Sequence, residues 1–158
     1  MRREKMVTEQ LIARGIHDER VLHAFRTVPR HRFVPEPLWD RAYKDNALPI
    51  GEGQTISQPF IVARTAEALV LKGIEKVLEI GVGSGYAAAI LAECGKKVYG
   101  IERIPVLGQR ARTILEELGY TNILIRIADG TYGWSEHAPF EAIAAAAAGP
   151  EIPQTWLA

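Results

Sequence analysis

The sequence predicts an α/β fold: a mostly parallel sheet covered by helices, preceded by an N-terminal extension of helices and loop. Three observations lead there. Beyond Lys72, short apolar runs alternate with helical segments, the rhythm of strands buried on both faces. One run, Val77-Leu78-Glu79-Ile80, passes directly into Gly81-Val82-Gly83-Ser84-Gly85 and then into a helical stretch beginning at Tyr86. Finally, 158 residues, 47% apolar and 24% charged, suffice for one substantial core and not for two, so residues 1–158 read as a single domain.

Within it, residues 1–72 form the helical and loop extension and residues 73–158 the α/β core. Between Thr8 and Val28, Leu11, Ile12, Ile16, Val21, Leu22 and Phe25 recur at helical spacings, broken by Gly15 and the candidate cap Asp18, which predicts two short helices. From Pro29 to Pro59 proline and glycine are interleaved with aromatic and aliphatic residues, which predicts an ordered loop of functional length. A helix follows over Pro59–Leu71, with Ile61, Val62, Thr65, Ala66, Leu69 and Val70 on its apolar side. Strands are expected over Lys76–Ile80, Lys97–Ile101, Asn122–Ile127 and Phe140–Ala145. Helices are expected over Gly85–Cys94 and Pro105–Leu118, the second opened by proline and closed by Gly119.

The glycine loop lies at a strand-to-helix turn, on the sheet edge where open α/β folds bind ligands. Its glycines, Gly81, Gly83 and Gly85, follow G-x-G-x-G, with Tyr86 in the sixth position where a dinucleotide loop would carry glycine to seat a pyrophosphate. A phosphate-free nucleoside cofactor, S-adenosylmethionine, suits this loop better than NAD. At the end of the next strand Glu102 can accept from both ribose hydroxyls, and after the third strand Asp129-Gly130 can meet the exocyclic amine of adenine. Glu79 fits either a solvent-facing strand end or a group that orients the glycine loop.

The other reactive residue types read as structural. His17, His23, His31 and His137 lack metal-ligand spacing, and Cys94 reads as a small buried residue rather than a nucleophile. Trp39, Trp134 and Trp156 read as packing residues, with Trp134 close enough in sequence to Asp129 to border an adenine site. Lys plus Arg and Asp plus Glu both total 19, so no net field favours nucleic acid or an anionic membrane. No apolar run approaches the roughly 20 residues of a membrane span, the single cysteine forms no internal disulfide, and the charged N-terminus is no signal sequence. A soluble, cytoplasmic protein is the expectation.

The extension carries a more specific signal. Leu48-Pro49-Ile50-Gly51 through Gly53-Gln54-Thr55-Ile56-Ser57-Gln58-Pro59, with Arg32-Phe33-Val34-Pro35 and Ala42-Tyr43-Lys44-Asp45, resembles the substrate loop of protein-L-isoaspartate O-methyltransferases. The likeness continues through Val77–Gly85, Ile101-Glu102-Arg103, Ala128-Asp129-Gly130, Gly133-Trp134, Ala138-Pro139-Phe140 and Pro150-Glu151-Ile152-Pro153. The resemblance implies a Rossmann-like methyltransferase sheet. It implies transfer of a methyl group from S-adenosylmethionine to the free α-carboxylate of L-isoaspartyl residues, the first step in repairing damaged proteins. By the matched motifs Ser57 is the active-site hydroxyl, Gln54, Thr55 and Ile56 flank the cofactor, and Gly81, Glu102, Asp129 and Gly130 contact it. Ser57 also reads as a helix N-cap for the segment opening at Pro59.

Two departures from the family pattern carry expectations of their own. The fourth strand region, Glu141 to Gly149, is alanine where the family has β-branched residues, and alanine forms strands poorly and fills little volume. The sequence stops at Ala158, before the family's later strands, which predicts either a fragment of a longer enzyme or an open sheet edge available for self-association. Competing expectations are a methyltransferase for another acceptor, a non-catalytic cofactor-binding module and, more distantly, a nicotinamide dehydrogenase.

Overall fold

A computed structural model describes residues 2–147 and 149–158; the Ala148 position of the alanine run lies outside the described residues. The N-terminal extension opens with α1 (Arg2–Met6), which runs on as π-helix over Val7–Leu11 and ends at Gly15, φ 94°. The first predicted helix thus begins earlier than its apolar spacing indicated. Next comes α2 (Glu19–Thr27), capped as expected by Asp18, whose carboxylate accepts from the amides of Arg20 at 2.9 Å and Val21 at 3.2 Å.

The stretch from Pro29 to Pro59 is ordered but not simply a loop. It holds two 3-10 turns, Arg30–Phe33 and Glu36–Arg41, and a hairpin of β1 (Leu48–Gly51) and β2 (Gln54–Ile56) with Leu48 opposite Ile56. Positive φ at Gly51, Glu52 and Gly53 makes that reversal possible. From it the chain enters α3 (Pro59–Ala68), shorter than expected because Val70 turns to φ 52°.

The core sheet consists of β3 (Lys76–Ile80), β4 (Lys97–Glu102), β5 (Ile123–Ile127) and β6 (Ala142–Ala145), all parallel in the order β5-β4-β3-β6. Between them run α4 (Tyr86–Cys94) and α5 (Pro105–Glu117). The central strands β3 and β4 are buried on both faces, which explains their continuous apolar spelling. Side chains alternate: Val77 and Val98 join the core built with the helices, while Leu78, Ile80, Tyr99 and Ile101 face a second cluster with Trp134. Each fully buried aliphatic side chain contributes about 1.5–3 kcal/mol through lost apolar exposure.

Low alanine propensity did not prevent β6, because β3 supplies its register, Val77 to Ala142 through Ile80 to Ala145. The strand starts two residues later than expected, Phe140 packing against Tyr99 instead. Small side chains at Ala144, Ala145 and Ala146 leave an apolar cavity of about 190 Å³ against α3 and α4. β6 also forms one edge of the sheet among the described residues.

Candidate active site

The sheet order reverses at β3: the chain moves to β4 on one side and later to β6 on the other. Such a switch point opens a crevice beyond the carboxyl ends of the strands. A cleft of about 660 Å³ lies there, within the range of small-molecule sites. Its floor is the glycine loop, which turns back under Ile101, whose carbonyl accepts from Gly81 at 2.9 Å and Val82 at 3.3 Å. Gly81 and Gly83 adopt φ 86° and 56°, a conformation strained for residues with a Cβ.

Gln54, Thr55, Ile56 and Ser57 line one side of the cleft, and Glu79, Gly81, Gly83, Glu102, Asp129 and Gly130 line the rest. The hairpin end and the glycine loop, distant in sequence, thus share one space. Gly85 departs from the expectation. It does not line the cleft; at φ 90° it is the N-cap of α4, and a Cβ there would lie 3.1 Å from the Cβ of Ala111. Its absent side chain lets α4 approach α5. Ser57 does not cap α3 either: Gln58 holds that position and no side-chain cap forms.

Three carboxylates line the cleft in different settings. Glu102 accepts from the amide of Gly83 at 2.7 Å through one oxygen and from Ile104 at 2.9 Å through the other. Each oxygen keeps a second lone pair for a ligand hydroxyl. Asp129 caps the turn Gly130–Tyr132, accepting from the Thr131 amide at 2.9 Å and its hydroxyl at 2.8 Å, and these bonds hold its pKa below the usual value. Glu79, 1% exposed, has no partner for Oε2; burial first, and the neighbouring Glu102 charge second, push its pKa up from 4.5 to about 8. Glu102 therefore braces the glycine loop, while Glu79 is a buried acid between the cleft and the smaller cavity, both of which it lines.

Among the tryptophans the expected neighbour of the adenine site is displaced. Trp134 packs edge-on against Tyr99, 5.7 Å between centroids, in the second apolar cluster, and does not line the cleft. Trp156 does, and its indole donates to the Gly130 carbonyl at 2.9 Å. Nothing local in the sequence distinguishes the two; chain return through Pro150–Pro153 decides it. Val82 and Ser84 also line the cleft and could have been named from their place within the loop. Cys94 is buried and its thiol is pushed up to about 12 by burial, so it is no nucleophile. Among the described residues no helix is long and apolar enough to cross a membrane.

This parallel sheet, with a glycine loop at its switch point and a carboxylate ending the adjoining strand, defines the class of S-adenosylmethionine-dependent α/β methyltransferases. The family model for protein-L-isoaspartate(D-aspartate) O-methyltransferase matches residues 1–158, and the chain belongs to that family. It is 57% identical over 155 residues to protein-L-isoaspartate O-methyltransferase 1 of Syntrophobacter fumaroxidans, covering 98% of this chain and 72% of that protein. It is 58% identical over 151 residues to the Syntrophus aciditrophicus enzyme of the same name, covering 96% and 69%. A solved protein-L-isoaspartate O-methyltransferase superposes with TM-score 0.89 at 31% identity, over 99% of this chain and 51% of the other. A Plasmodium falciparum homologue, solved with S-adenosyl-L-homocysteine, gives 0.82 at 25% identity over 98% and 78%. The chain therefore spans about seven tenths of these curated relatives and about half of the first solved structure. Enzymes of this family methylate isoaspartyl residues of damaged proteins with S-adenosylmethionine.

Proposed function

We propose that this chain transfers a methyl group from S-adenosylmethionine to the free α-carboxylate of L-isoaspartyl residues, in the cytoplasm, as the opening step of protein repair. The supporting observation is that Gln54–Ser57 and the glycine loop line one cleft. Residues 1–72 then form the acceptor side and residues 73–158 the cofactor side of one domain.

The cofactor fits the residues present. The orphaned Oε2 of Glu79 offers an acceptor to an ammonium group, Gly81 and Gly83 bring no Cβ to the cleft, and Glu102 and Asp129 line the same cleft as acceptors for ribose and adenine. When bound, the cofactor supplies an electrophilic sulfonium methyl. An α-carboxylate, with a pKa of about 3.5, is ionised near neutrality and needs no general base. Among the described residues no histidine lines the cleft, in keeping with a reaction that asks only for alignment. Ser57 donates one hydrogen bond to orient the acceptor carboxylate, and the hairpin excludes water that would solvate it. Gln54, Thr55 and Ile56 flank the cofactor on the same side.

The test is transfer of labelled methyl to an isoaspartyl peptide, with its aspartyl twin as control and a cofactor titration on the same sample. Methylation of the isoaspartyl peptide alone is expected. Binding without transfer overturns the catalytic reading in favour of a cofactor-binding module, and transfer to a different carboxylate overturns the substrate.

A further inference from the structure

Arg30 is wholly buried, yet it lies outside the cleft lining. Removing a guanidinium from water is costly even after relaxation, so its partners show what holds it there. Nε donates to the Ala42 carbonyl at 2.7 Å and Nη2 to the Ser57 carbonyl at 2.8 Å. These two carbonyls bracket the segment that contains the acceptor hairpin, β1 and β2. The guanidinium carbon also lies 4.8 Å from the ring centroid of Tyr86, the first residue of α4 after the glycine loop. Phe25 and Phe33 fix that ring edge-on, at 5.9 and 5.6 Å between centroids.

We propose that Arg30 is a positioning residue for the methyl transfer: its planar fork ties the backbone of Ser57 to the start of α4, setting the acceptor hydroxyl relative to the cofactor loop. The inference rests on the role given to Ser57 above. A displacement of about 1 Å can cost on the order of a hundredfold in rate, so a rigid link between the two halves of the cleft acts on turnover. Lysine cannot replace it. An ammonium is a point charge without the fork that serves two carbonyls and stacks on a ring at once.

The experiment is a double-mutant cycle of Arg30→Lys with Ser57→Ala, reading kcat and KM for an isoaspartyl peptide, cofactor affinity and thermal melting. With Ser57 present, Arg30→Lys is expected to lower kcat about 10- to 100-fold while cofactor affinity changes less than about threefold. With Ser57→Ala in place, Arg30→Lys should change kcat less than about threefold, because its route to the reaction has been removed. Equal losses in both backgrounds, or no loss in either, overturn the positioning role and leave the role of Ser57 intact. An unchanged kcat for Ser57→Ala alone overturns that underlying role instead. Should Arg30→Lys fail to fold, Tyr86→Leu, which removes the ring under the guanidinium and leaves both its hydrogen bonds, is put through the same cycle with the same expected dependence on Ser57.

Discussion

Glu102 holds the glycine loop by its side chain, accepting from the Gly83 amide at 2.7 Å, and so joins the end of β4 to the turn that follows β3. The residue expected to bind ribose is thus also the brace of the site. A bond from an amide to a carboxylate is worth about 1.5–3 kcal/mol. Glu102→Ala is expected to weaken cofactor binding at least about tenfold by calorimetric titration and to lower stability by about 1–3 kcal/mol. Undiminished affinity would remove Glu102 from the cofactor site.

Ser57 is expected to separate turnover from binding. In the role proposed above its hydroxyl donates to the acceptor carboxylate, and a hydrogen bond to a charged group of about 1.5–3 kcal/mol corresponds to about 10- to 150-fold in rate. Ser57→Ala is expected to lower kcat in that range, with cofactor affinity within about twofold. Steady-state kinetics beside a cofactor titration check it; the reverse pattern would exchange the roles of Ser57 and Glu102.

Glu79 gives the protein a pH dependence of definite sign. Its folded pKa is about 8 and its ordinary value 4.5, so over that interval the unfolded chain releases a proton that the folded chain keeps. Its stabilising contribution is full below pH 4.5 and is lost as pH rises through about 8. A cation in the cleft favours the ionised acid, so affinity for S-adenosylmethionine should rise with pH through the same upper limit. Melting and cofactor titrations across this range are expected to show both trends in the native chain and neither in Glu79→Gln. Parallel curves for the two proteins would refute the assignment.

Gly85 is expected to matter for stability and not for ligand contact. Alanine there meets both the strain of φ 90° and the Ala111 Cβ at 3.1 Å. Together these should cost about 1–3 kcal/mol in a denaturant titration. A loss of cofactor affinity in the folded variant, without a loss of stability, would return Gly85 to the site.

The hairpin shows where local reading stops. Prolines and glycines between Pro29 and Pro59 suppress any strand signal, and β1 and β2 exist only because Gly51, Glu52 and Gly53 all turn to positive φ. Arg110 on α5 then holds the result by donating to the Ile50 carbonyl at 2.7 Å. The same limit explains the tryptophans: nearness in sequence to Asp129 favoured Trp134, but Trp156 reaches Gly130 by a return of the chain.

By itself the sequence determined the parallel sheet, the G-x-G-x-G turn and the carboxylate at Glu102 that ends β4. These depend on periodicity, turn chemistry and motif, which are properties of neighbouring residues. Only the tertiary structure decided that Gly85 packs helices, that Glu79 is a buried acid and that Arg30 lies in the core holding Ser57. The reason is physical: the state of a polar group is set by what surrounds it, and Arg30 is surrounded by Ala42, Ser57 and Tyr86, brought together from three separate stretches of chain.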